Sequence, residues 1–370
     1  MSMVTPGVLR YVTEDGQTFF ITPRSEYFDV KALGHRELVE VIQGNATVTL
    51  RIRNVNVTPG NIENNLPLTA SLSIKTEPIY GLVDGGWLPM PWAHKRIALL
   101  DSNMVITVEK MILGRTPPIE AMENFLGLDV QRVSSILYAL EGVYRRTVTE
   151  AEFNEELNRA EASLKGLLPV DKVETLDAAQ RAGVYDMLRH QSRDAAAELV
   201  KAVVPKIVDQ ISKDQRRKIE TEVLELAAAH HLSVNRLVVL ALLSCVYDGG
   251  RVRRHKVEIP GRAVIKPKRC YDGHAAYSAI ADLYMLEFLH NIQALFPDNS
   301  TVFYTQDVGL AAMWTAMQPC QRTVTKNLIG HFNTKITFPL DGGLFPALSP
   351  DETLELKHRL LEFSERQTVA

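Results

Sequence analysis

Four acidic side chains, far apart in the chain, are the residues best placed to do chemistry: Asp101 in IALLDSN, Glu141 in SSILYALEGVYRR, Asp282 in YSAIADLYMLEFL and Asp307 in TVFYTQDVGLAAM. Each stands beside or inside an apolar element. Burying a carboxylate costs several kcal/mol unless a cation or a strong set of hydrogen bonds compensates, so acids in such places predict a site. Asp101 and Asp307 follow the short β-rich runs IALL and TVFYTQ and precede helix-like segments. Both should therefore lie at the carboxyl edge of a parallel sheet, where open α/β sheets hold ligands.

A structural role competes at each position. Asp101 and Asp307 could each cap the helix that follows. Glu141 could face solvent or pair with Arg145 one turn on, with Glu150 and Glu152 as substitutes for it in a site. Asp282 could face solvent opposite an apolar stripe, although its helix is apolar on most sides.

The elements that must position these acids are legible in outline. Residues up to about 90 are rich in Thr, Val, Asn and Gly, with alternation in ATVTLRIRNVNV and LTASLSIKT and an Asp-Gly turn in YVTEDGQTFF, which predicts a small all-β domain. The stretch GLVDGGWLPMPW, with Gly85, Gly86, Pro89 and Pro91, is expected to break regular structure and to mark the boundary. A strand, IALL, opens a long helical region. Its predicted helix starts are Pro117-Pro118, Asp129 before VQRVSSILYALEGVYRR, and the Thr149-to-Glu152 capping box.

Helices continue to about 247, the last of them apolar enough to be core. GRVRRHKVEIPGRAVIKPKR is then expected as a β-ribbon or extended loop, and it carries Arg251, Arg253, Arg254, Lys256, Arg262, Lys266, Lys268 and Arg269 against one acid, Glu258. A long helix bears Asp282. A strand, a helix after Asp307, β-like pieces around TVTKNLIG and TKITF, and a helix opened by Ser349-Pro350-Asp351-Glu352 complete the chain.

Composition excludes several classes. A chain of 370 residues with 46% hydrophobic content can bury a large core and divide into two or three domains. A net charge of −3 gives no global pull toward nucleic acid or a membrane surface, so contact with a polyanion needs a local basic patch. Cys245, Cys270 and Cys320 are too scattered for a disulfide framework and read as free thiols of a reducing cytoplasm. Neither a signal peptide nor a membrane span is expected. His230-His231 lacks the spacing of a zinc protease, and GGWLPMPW is not a phosphate loop.

Four elements in order resemble the PIN domain, a metal-dependent nuclease family of toxin ribonucleases and RNA-processing enzymes. IALLDSNMVI resembles its opening strand, with Asp101, Ser102 and Asn103 in place. VSSILYALEGVYRR resembles the helix of the second acid at Glu141, AIADLYML that of the third at Asp282, and VFYTQDVGLAAM the strand followed by Thr305 and Asp307. The long gap between Glu141 and Asp282 departs from a minimal domain and requires a helical insertion. Gln306 stands where many relatives carry a charged or small polar residue.

The resemblance implies an α/β fold, a three-layer PIN-like parallel sheet, spanning 93–325 with an insertion at about 150–245. An accessory β domain over 1–92 and an extension over 326–370 lie outside the resemblance. It further implies that Asp101, Glu141, Asp282 and Asp307 bind Mg²⁺ or Mn²⁺, with Asn103 and Thr305 in support, in an endoribonuclease of toxin or defence type. Products would carry a 5′ phosphate and a 3′ hydroxyl. RNA is the expected partner, and Arg251, Arg253, Arg254, Lys256, Lys266, Lys268 and Arg269 are candidates to contact it. A silent RNA- or protein-binding scaffold, a metal-dependent phosphatase and a structure-specific DNA nuclease are the alternatives. An inhibitor or partner protein and a second copy of the chain stay open as partners.

Overall fold

IALL and TVFYT do become neighbouring parallel strands at the centre of a five-stranded sheet in the computed structural model. The structure describes residues 9–12, 18–21, 29–44, 47–53, 68–73, 79–90, 93, 97–115, 132–141, 146, 148–189, 193–209, 211–248, 259–295, 301–318, 320–326, 332–340 and 343–369. In chain order the strands are β1 (Leu9–Val12), β2 (Thr18–Ile21), β3 (Asp29–Val30), β4 (Thr47–Arg53), β5 (Leu68–Ser73), β6 (Tyr80–Val83), β7 (Gly86–Pro89), β8 (Ile97–Leu100), β9 (Arg132–Ser134), β10 (Thr301–Thr305), β11 (Gln321–Lys326) and β12 (Phe332–Thr337).

The central sheet runs β7-β6-β10-β8-β9, so the fold is mixed α/β. β8 is parallel to both β9 and β10. The expected all-parallel sheet is completed instead by two antiparallel strands, β6 against β10 and β7 against β6. These come from the stretch expected to break regular structure. Asp84 and Gly85 form the two-residue turn between Val83 and Gly86, which pair across it. Gly85 and Gly86 adopt φ of 81° and 150°, a region where a side chain is strained. A Cβ at Gly86 would also lie 2.0 Å from the Leu33 carbonyl oxygen, so the hairpin closes against that backbone.

Amino-terminal alternation is realised as β3-β4-β5 and as the β1-β2 hairpin, all antiparallel. One helix was not anticipated there, His35–Ile42. Trp314 fastens the β6-β7 hairpin to the helix that follows β10, its indole N–H donating to the carbonyls of Val83 and Gly86 at 2.9 and 2.8 Å.

Two further expectations are corrected. Of the helix expected from Asp129, the described residues 132–141 form a strand, β9, followed by a separate helix, Ile136–Glu141; Val133 is fully buried, and pairing with β8 outweighs helix propensity over so short a run. The stretch expected as a β-ribbon or extended loop contains a helix, Pro260–Ile265, whose proline pre-sets the first turn. All six of its residues are buried.

That short helix wedges between the apolar helix Leu237–Val246 and the helix Val308–Ala316. Glycines permit both approaches: a Cβ at Gly261 would lie 2.2 Å from the Ala241 carbonyl oxygen, and one at Gly309 would lie 2.5 Å from that of Ala263. The capping box at Thr149 and Glu152 forms as expected, and so does the reciprocal pair of Ser349 and Glu352 at the head of the last helix.

Candidate functional site at the carboxyl edge of the sheet

Asp101 and Asp307 meet because their strands are in register. Tyr304 faces Leu100 across β10 and β8, and the Asp101 N–H donates to the Tyr304 carbonyl at 3.1 Å. The next pair along is therefore Thr305 beside Asp101, with Asp307 two residues further. The hydroxyl of Thr305 donates to Asp101 Oδ2 at 2.6 Å and accepts the Asp307 N–H at 2.9 Å. One threonine thus links both acids.

The two carboxylates answer the capping question differently. Asp307 is a cap: its Oδ1 accepts the N–H groups of Gly309 and Leu310 at 2.6 and 3.2 Å. Asp101 occupies the N-cap position of the helix Ser102–Ile112 but makes no side-chain capping bond. It is 1% exposed, and beyond Thr305 the Ser102 hydroxyl and the Asn103 amide make long contacts to it, both at 3.5 Å, while the Ser102 backbone N–H also works to favour its charge. Burial pushes its carboxyl pKa up, the Thr305 hydrogen bond works against that shift, and the charge of Asp307 adds to it. This is a carboxyl held in an environment that disfavours its own charge, a recurrent property of functional acids.

Lys266 faces this pair. Its Nζ lies 3.1 Å from Asp307 Oδ2, the oxygen that does not cap. Burial works to lower its pKa, but Asp307 first, then Asp282 and Asp101, outweigh burial and raise it. Three of the four predicted acids therefore act on one ammonium group. Tyr80, which faces Thr305 across β6, also senses Asp307; burial first and that charge second push its phenol up to about 12.

Asp282 sits half-buried on the helix Gly273–Leu295 between buried Ala281 and Leu283. Glu141 ends the helix Ile136–Glu141, and its side chain lies outside the described residues. Its suggested substitute Glu152 is committed to its capping box and to Arg146. Among the described residues no group of three or more His, Cys, Asp or Glu side chains is gathered tightly enough to hold a metal ion.

Of the basic candidates, Arg251, Arg253, Arg254 and Lys256 lie outside the described residues. Arg262 is 4% exposed and ion-paired with buried Asp248, a structural role. Lys268 lies over the Tyr271 ring at 6.0 Å, and Arg269 is exposed. Sequence reasoning placed Lys266 in an anion-binding run and missed its position against the acids. No local signal marks it, because its direction is set by a left-handed backbone, φ 49° and ψ 59°, at the end of the short helix.

No described helix is long and apolar enough to cross a membrane. No family model, no curated protein and no solved structure matches this chain.

Proposed function

We propose that the chain is a PIN-like, metal-dependent endoribonuclease whose working edge is Asp101, Asp307 and Asp282. One observation carries this reading: Thr305 joins the two strand-end acids, with Asp101 buried and left without a capping bond. The donor chemistry fits a hard divalent ion, since Mg²⁺ is commonly held by one or two carboxylates together with waters and substrate phosphate rather than by a full protein cage. A divalent ion bound there would neutralise the acids and polarise both a scissile phosphate and an attacking water.

The chain's own groups do the rest. Thr305 holds Asp101 Oδ2, so the carboxylate keeps one orientation at the strand end. Asp307 spends Oδ1 on the helix N-terminus and leaves Oδ2 directed at the cluster. Hydrolysis breaks the P–O3′ bond, the water oxygen stays on phosphorus, and the departing 3′ oxygen takes a proton. The products are a 5′ phosphate and a 3′ hydroxyl. Mapping the ends of products from labelled RNA tests this directly: 2′,3′-cyclic ends would point to metal-free transesterification instead.

A catalytically silent scaffold is the second reading. The pairing of Lys266 with Asp307 favours it, because a protein cation already neutralises one acid. A chain that binds RNA yet leaves it intact with Mn²⁺ and with Mg²⁺ would have this role.

A further inference from the structure

The wedge that carries Lys266 has no play in it. The helix Pro260–Ile265 is wholly buried and meets backbone at Gly261 and Gly309. Its last residue leads straight into Lys266, whose left-handed conformation is uncommon for a residue with a side chain and is further disfavoured ahead of Pro267. Such strain persists only when the surroundings fix it. Here they fix the backbone from which the Lys266 side chain reaches the carboxylate edge.

Resting on the metal reading above, we propose that Lys266 is a resident counter-cation that a divalent ion must displace from Asp307, so this one side chain sets how tightly the edge takes metal. The competition is for the same lone pairs. Asp307 Oδ1 is committed to two backbone N–H groups, and Oδ2, the oxygen left for a cation, is the one that Lys266 occupies. The field of the ammonium also reaches Asp282 and Asp101, so these acids too feel a positive charge that a metal would have to replace. The lysine can yield: its side chain is 59% exposed and can swing into water without leaving a buried charge behind.

The test is calorimetric titration of MnCl₂ into the full chain without nucleic acid, comparing wild type with Lys266→Met and Lys266→Arg. Lys266→Met is expected to bind Mn²⁺ about tenfold tighter or more, since it removes a positive charge a few ångströms from a divalent ion. Lys266→Arg should stay near wild type. Should the methionine variant fail to fold, Lys266→Gly removes the charge and suits the left-handed backbone. The thermal shift caused by Mn²⁺ should likewise be larger in the uncharged variants. Wild-type binding that the uncharged variants leave unchanged or weaken overturns the role of Lys266 and spares the metal reading. No Mn²⁺ binding by any of these proteins overturns both.

Discussion

The hydroxyl of Thr305 donates to Asp101 Oδ2 at 2.6 Å across 204 residues of sequence, and the Thr305 Oγ1 in turn accepts the N–H of Asp307. Thr305→Val keeps the shape and β-branching but strips both bonds, leaving a buried carboxylate and a half-buried N–H short of partners. The expected loss is about 2–3 kcal/mol of unfolding free energy, with Thr305→Ser retaining most of it. Urea denaturation of the two variants decides it; equal stability of Val and Ser would show that the hydroxyl does not hold the site.

Asp101 should destabilise the metal-free fold. Its folded-state pKa is raised above the ordinary 3.8, by burial first. The folded chain therefore binds this proton more tightly than the unfolded chain, and stability falls as pH rises through the window above 3.8. Asp101→Asn removes that penalty and keeps an acceptor for Thr305. Melting in EDTA at pH 7 should show a gain in stability that disappears as the pH falls below the ordinary carboxyl value of 3.8. A loss at pH 7 would mean that the charge is satisfied in the apo fold.

His35 gives the opposite sign. Burial lowers its pKa from 6.5 to about 4, and a hydrogen bond with the Ala312 backbone opposes this only in part. A base with a depressed folded-state pKa contributes stability that is complete above 6.5 and is lost as pH falls toward 4. Between pH 7.5 and 5 this histidine should cost the wild type about 2 kcal/mol that His35→Gln does not lose. Urea midpoints at the two pH values measure it, and parallel curves for the two proteins would exclude the effect.

Gly309 is a tight joint between the wedge helix and Asp307. A Cβ there would lie 2.5 Å from the Ala263 carbonyl oxygen and 2.9 Å from Asp307 Oδ1, so Gly309→Ala must push the wedge helix or the acid aside. The expected cost is about 2–3 kcal/mol. Gly183→Ala is the control, at an open, exposed helical position where alanine should add up to about 1 kcal/mol. Matching effects at the two positions would refute the close approach.

Much of this arrangement was legible because local and long-range signals agree. An apolar run ending in Asp and followed by a helix places Asp101 and Asp307 at one sheet edge, and the Thr149 and Ser349 caps are local chemistry that needs no partner. What escaped was decided by distant neighbours. β9 is only three residues, Arg-Val-Ser, and its neighbours β8 and Val173, far from it in sequence, make it a strand. PGRAVI reads as β by composition, yet the backbones of Ala241 and Gly309 enclose it as a helix. Gly85 and Gly86 punctuate the chain and, between complementary strands, make a hairpin instead of a boundary. Lys266 could not be placed because the acids it meets lie in other segments.

The most direct measurement is incubation of wild type and Asp101→Asn with end-labelled single-stranded RNA and DNA, in Mn²⁺, in Mg²⁺ and in EDTA. Cleavage of RNA by the wild type is expected with either metal, with none in EDTA and a loss of at least about a hundredfold in the variant. Equal cleavage by wild type and Asp101→Asn, or cleavage that persists in EDTA, would contradict that expectation.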